Sequence, residues 1–303
     1  MLRVALGVVV FAVLYGAYRS IYAAVGGIPP GYVFTPERYA DSILLYALIP
    51  GYFLGASSFC RSRSEFAYTH LGQALANPDA YPREQFVRLR WMLLGGLLGL
   101  TYGVVDMGSI GETRSLQIIE WTLRVGNALV WASVGATFAW RFCYARLFLR
   151  MGEAARLDLL DLNRLKPLGR VASLDVFLVM GALAMMPLQS FSSDFHWEFY
   201  RVGFAFGIPA ALAFLILPQL GAHRNIRRCK AQKLRELQGR IGAADGNDVA
   251  ALEALLAHRD RISELPEWPI DTRAFSRTVF YLVVPPLAWV GAAIVERGVD
   301  QLF

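Results

Sequence analysis

Apolar positions in this chain gather into long runs rather than narrow stripes. Seven such runs, at about 3–25, 42–59, 91–108, 120–141, 172–190, 201–220 and 277–296, carry few charges. Each is about 18–23 residues long, enough to cross roughly 30 Å of hydrocarbon as a helix. The pattern predicts an all-α integral membrane protein with about seven transmembrane helices. The first run follows Met-Leu-Arg, as a signal peptide would. It continues past Tyr15, Tyr18 and Arg19 to Val25, longer than a signal core, and is read as the first span.

Between the sixth and seventh runs the pattern changes to helical stripes. Ile226, Leu234, Leu237 and Ile241 recur at helical spacing, then AADGND supplies turn residues. Val249, Leu252, Leu256, Ile262 and Leu265 form a second stripe, which Pro266 and Pro269 end. This predicts a helical hairpin over 222–276, set between a bundle of spans 1–6 (1–221) and a last span (277–303) packed with it. Shorter pieces are expected elsewhere: a helix around 64–76, and an amphipathic segment with Leu157, Leu160, Leu165 and Leu168 lying on the membrane surface.

Composition agrees with a membrane protein. Hydrophobic residues make up 55% of the 303 and charged residues only 18%, against about a quarter charged in soluble domains. The placement of the positive charge sets the orientation. Arg61, Arg63, Arg83, Arg88 and Arg90 follow the second run, Arg146, Arg150, Arg156, Arg164, Lys166 and Arg170 the fourth, and Arg224, Arg227, Arg228, Lys230, Lys233 and Arg235 the sixth. The alternate loops are poor in Arg and Lys. The positive-inside rule therefore puts the N-terminus and the hairpin in the cytoplasm and the C-terminus outside. The preference for Arg over Lys points to a GC-rich bacterial genome, hence to a bacterial inner (plasma) membrane, crossed many times. Cys60, Cys143 and Cys229 then all face the reducing side, too scattered for a disulfide framework.

Basic residues at the hairpin base, Arg224, Arg227, Arg228 and Lys230, fit anionic lipid head groups or an acidic partner, and otherwise serve to fix topology. No aromatic residues interleave with them to stack bases, so nucleic acid is not an expected partner. Small residues at spacing four, Gly95, Gly99 and Gly103 on the third span and Gly51 and Gly55 on the second, predict close helix contacts, within the chain or in a homo-oligomer or membrane complex.

Charges inside spans are costly and mark candidate sites. Glu120, Arg124, Asn127 and Trp131 share one face of the fourth span, and Glu120 precedes Arg124 in the favourable i, i+4 order. Asp106 of the third span lies at similar depth and is expected to meet Arg124. Arg19, among Tyr15, Tyr18 and Tyr22, lies at similar depth on the first. Together these would line a polar vestibule open to the outside, or tie helices together. Asp175, with Ser173, is expected to cap the fifth span. Prolines recur near mid-span at Pro50, Pro209 and Pro285–Pro286, freeing the carbonyls of Tyr46, Ala205, Tyr281 and Leu282. The Pro285–Pro286 pair should divide the last span into two half-helices, and such breaks are where many transporters bind substrate.

No acid, base and nucleophile assemble into a catalytic set, and no phosphate-cradling or zinc motif occurs. Asp194, His196 and Glu198 in SSDFHWEFY give too few ligands for a metal site, and no cofactor is expected. The leading reading is a channel or transporter-like protein for ions or a small polar solute. The alternatives are a non-catalytic scaffold or complex subunit assembling through the hairpin and, third, an intramembrane lipid-modifying enzyme.

Overall fold

A computed structural model describes residues 2–28, 35–105, 114–157, 162–190, 197–243 and 249–268, with positions 159, 276, 280 and 283 in isolation. The described residues form helices and no named strand. These are α1 (Leu2–Val25), α2 (Pro36–Gly72), the single turn α3 (Arg83–Phe86), α4 (Leu89–Val105), α5 (Arg114–Ala154), α6 (Lys166–Met185), α7 (Trp197–Ala243) and α8 (Val249–Ser263). Short 3-10 turns lie at Pro78–Ala80, Leu162–Leu165 and Met186–Ser190.

Among the described residues, four helical stretches are long and apolar enough to cross a membrane: Val4–Val25, Pro36–Gly72, Lys166–Leu188 and Arg201–Ala243. Leu89–Val105 is apolar but shorter. The expected fourth span, 120–141, lies within α5, which is long but is not among these four, and the expected seventh lies almost entirely outside the described residues.

Local chemistry explains the ends. Two glycines with positive φ, Gly26 (80°) and Gly27 (81°), stop α1, because L side chains resist that conformation. Thr35 starts α2: its Oγ1 accepts from the Arg38 N–H at 3.3 Å, Pro36 supplies a pre-set φ, and Glu37 suits the first turn. Nothing breaks α2 after Pro50, so the separate helix expected around 64–76 is instead a continuation of the same rod. Arg61 and Glu65 pair along it at 2.9 Å, and Arg83 reaches the same carboxylate at 3.0 Å.

Helix contacts rest on missing side chains. A Cβ on Gly95 or Gly99 would collide with the Gly135 or Trp131 carbonyl of α5, and one on Gly103 would lie 2.7 Å from the Ala128 Cα. The ridge on α4 is thus consumed within the chain. So is that on α2: a Cβ on Gly7 of α1 would sit 2.5 Å from the Gly51 oxygen and 3.1 Å from the Gly55 backbone. Neither ridge is left open for a second copy.

Among the described residues the core falls into three clusters, one of which joins Val176, Val179, Met180 and Leu183 of α6 to Ala211 and Phe214 of α7. The other two stack along the bundle. One joins Tyr39, Ile43, Ile49, Phe53, Ile119, Leu123 and Leu178. The other joins Leu71, Trp140, Leu147, Phe148, Leu165, Leu168 and Ile226. Leu165 and Leu168 were expected on a membrane surface. They are instead 0% and 1% exposed, because the 3-10 turn at Leu162–Leu165 runs straight into α6 and carries their stripe inward.

Candidate functional site

The most deeply buried charges are on α5 and α6. Arg141 Nη2 lies 2.5 Å from Asp175 Oδ1, with side-chain exposures of 0% and 1%. Nη1 of Arg141 donates to Ser64 Oγ on α2 at 2.9 Å. The guanidinium also lies 5.2 Å from the Trp140 ring centroid and 5.5 Å from that of Tyr144. Three helices therefore meet on one cation. The aromatic faces help replace water around it, while its Nε has no hydrogen-bond partner among the described residues. Such a pair gains coulombic attraction but costs much desolvation, so its net stabilisation is small while loss of either member is expensive.

This corrects the expected role of Asp175. It is no cap: α6 begins at Lys166, with Pro167 in its first turn, so Asp175 sits more than two turns inside. Ser173 bonds back to the Gly169 carbonyl at 3.0 Å instead of capping. Arg141 was read only as the last residue of a span. The signal lay in the charge pattern: Asp175 is the only acid between Asp161 and Asp194, in a stretch beside the Arg-rich end of another helix.

On α5, Glu120 and Arg124 pair at 2.6 Å, and Arg124 Nη1 donates to the Val104 carbonyl at 3.3 Å. Asn127 Nδ2 donates to the Gly103 carbonyl at 2.9 Å. The polar face of α5 thus seals α4 onto it. Asp106, expected beside Arg124, lies outside the described residues, as do Tyr281, Leu282, Pro285 and Pro286. Arg19 is exposed on α1, while Tyr18 points the other way and is buried. Tyr22 stacks on Tyr39 at 4.7 Å and Tyr39 Oη donates to the Tyr18 carbonyl at 3.3 Å, so the tyrosines pack α1 on α2. Asp194 and His196 lie outside the described residues. Among the described residues an apolar crevice of about 40 Å³ lies between α2, α5, α6 and α7, lined by Phe53, Val130, Phe138, Leu183 and Gly207 among others and edged by Phe206, which is 61% exposed. It offers almost no polar lining to hold water.

The second polar feature is the projecting part of α7. The helix is continuous for 47 residues through Pro209 and Pro218, about 70 Å at the helical rise. A clamp fixes it where it leaves the apolar stretch. Asn225 Nδ2 donates to the Gly152 carbonyl at 3.0 Å and the Ala155 carbonyl at 2.7 Å. Gly221 packs directly on the Leu149 carbonyl, and Arg224 pairs with Glu153 at 3.0 Å. Helix α8 returns along α7 and buries Ile262. The chain then comes back to the base of α7: His223 stacks on Trp268 at 4.2 Å, and Lys230 Nζ donates to the Leu265 carbonyl at 3.0 Å. Lys230 thus closes the hairpin rather than joining the open basic face. That face holds Arg224, Arg227, Arg228 and Arg235 around a shallow concavity of about 850 Å³, with Glu236 at its edge.

No family model, no curated protein and no solved structure matches this chain.

Proposed function

We propose that the chain is a non-catalytic subunit of a bacterial inner-membrane complex, crossing the membrane seven times with its N-terminus in the cytoplasm. Its task on this reading is to hold a rigid basic helical mast, α7 with α8, in front of an acidic protein partner. The observation that carries the reading is the clamp at Asn225. It makes α7 one rigid body with α5, so the half of α7 beyond its apolar stretch projects about 35 Å at a fixed angle. A like copy is a poor occupant of the face, since a two-fold contact would set arginine against arginine. An acidic surface suits it in charge. The close-packed bundle supports a supporting role over a conducting one, because the polar groups on α5 are spent on α4 and α6.

Solute flux in proteoliposomes tests this reading against the channel or transporter reading. A subunit of this kind gives no flux above protein-free vesicles across a broad set of ions and small polar solutes. Saturable flux that is lost in Asp106→Asn overturns it.

A further inference from the structure

A third basic feature sits elsewhere, on the α4–α5 flank. Arg88 and Arg90 at the start of α4 and Arg146 on α5 surround a pocket of about 360 Å³, completed by Trp91, Ala139, Phe142 and Cys143. Among the described residues those arginines are its only charged lining. Its position differs from that of the basic face on α7. Arg88 and Arg90 stand directly before the apolar run of α4, and Arg146 follows the apolar run of α5 by about one turn. On the α7 face, Arg224 lies about 6 Å and Arg235 about 22 Å past the apolar run of α7, by helical rise. The pocket is therefore at head-group depth, whereas the α7 face starts at that depth and runs well beyond it. Trp91 stands at the level where indole rings favour the interface, with the Arg90 guanidinium 5.3 Å from its ring. Directly along α4 from the pocket, Leu93, Leu94 and Leu97 are 58%, 47% and 62% exposed, an apolar track leading away from the cations. Arginine forks match phosphate oxygens in pairs, and Phe142 and Ala139 offer an apolar wall beside them.

We infer that the pocket formed by Arg88, Arg90, Arg146, Trp91 and Phe142 binds the phosphate of an anionic phospholipid, whose acyl chain lies along the leucine track of α4. The inference rests on α4 and α5 crossing a membrane, and not on the function of the α7 mast.

The test is native mass spectrometry of the full chain in detergent, titrated with phosphatidylglycerol, phosphatidylcholine or inorganic phosphate. Phosphatidylglycerol should bind with a preference over phosphatidylcholine. Joint substitution Arg88→Gln, Arg90→Gln and Arg146→Gln should weaken that binding about a hundredfold, at about fivefold for each cation near a membrane surface. Should the triple variant misfold, Arg88→Gln and Arg146→Gln separately should each weaken it several-fold. Arg227→Gln with Arg228→Gln should leave it unchanged. Equal binding of both lipids, or loss on changing Arg227 and Arg228 instead, overturns the site. Displacement of the lipid by millimolar inorganic phosphate overturns the lipid as its ligand and leaves a soluble phosphate compound. Carbonate extraction of membranes separates the two levels: a chain that washes off refutes the membrane reading, whereas an inserted chain without lipid preference refutes the pocket alone.

Discussion

Arg141 on α5 and Asp175 on α6 meet at 2.5 Å with neither side chain reaching solvent. The pair joins α5 to α6, and Ser64 completes the contact from α2, on which both helices pack. A charge so placed has no water to fall back on when its partner is removed. Asp175→Ala should therefore destabilise the protein by about 3–5 kcal/mol. Changing both, Arg141→Met with Asp175→Leu, should recover most of that loss, because an apolar pair needs no desolvation. Thermal unfolding in detergent of the two singles and the double gives the cycle. Additive losses would show that the two residues act separately.

The contact between α4 and α5 depends on absent side chains. Gly99→Val must push against the Trp131 backbone and should cost about 1–3 kcal/mol or more by overpacking. Gly16→Ala on α1 meets nothing within 4 Å among the described residues and should be close to neutral. The same unfolding assay compares them, and equal stability of the two variants would contradict the packing described.

Asn225→Leu removes the donor that serves two carbonyls at the end of α5. Each buried acceptor left without a partner costs about 1–3 kcal/mol. The variant should loosen α7 from α5 and raise amide hydrogen exchange at 222–243, while α4 keeps its protection. Uniform exchange along the chain would show that the clamp is not what holds the mast.

The proposed orientation predicts thiol labelling. Cys143 and Cys229 are half-buried beyond the same ends of α5 and the apolar part of α7, whereas Cys60 is 4% exposed. A membrane-impermeant maleimide should modify the first two in inside-out vesicles and spare them in intact spheroplasts, with Cys60 inert in both. Opposite sidedness of Cys143 and Cys229 would refute the threading.

Much of this was legible from spacing. The i, i+4 order announced Glu120–Arg124, the four-residue glycine spacing announced a close-packing ridge on α4 without naming α5 as its partner, and the stripes of Leu and Ile announced α7 and α8. What escaped depends on distance in space. Asp175 and Arg141 are 34 positions apart, and neither has a local partner that marks it. A serine two residues before an acid, near an apolar run, has the same local pattern as a cap. Only the packing of α6 from Lys166 distinguishes an interior residue from a first-turn one. Leu165 and Leu168 failed likewise: a stripe of leucines specifies an apolar face and leaves open whether lipid or protein covers it. The prolines at 50 and 209 broke neither helix, as commonly happens where the neighbouring helices take up a bend.

The basic face of α7 remains the feature on which the proposed role turns. The measurement that reaches it most directly is the native mass of the full chain drawn from its own membrane in lipid nanodiscs, compared with Arg227→Glu, Arg228→Glu and Arg235→Glu combined. The account predicts one added protein in fixed stoichiometry, acidic in composition, present with the original chain and lost from the charge-reversed one. The single-chain mass in both preparations, or an assembly indifferent to the reversal, would contradict it.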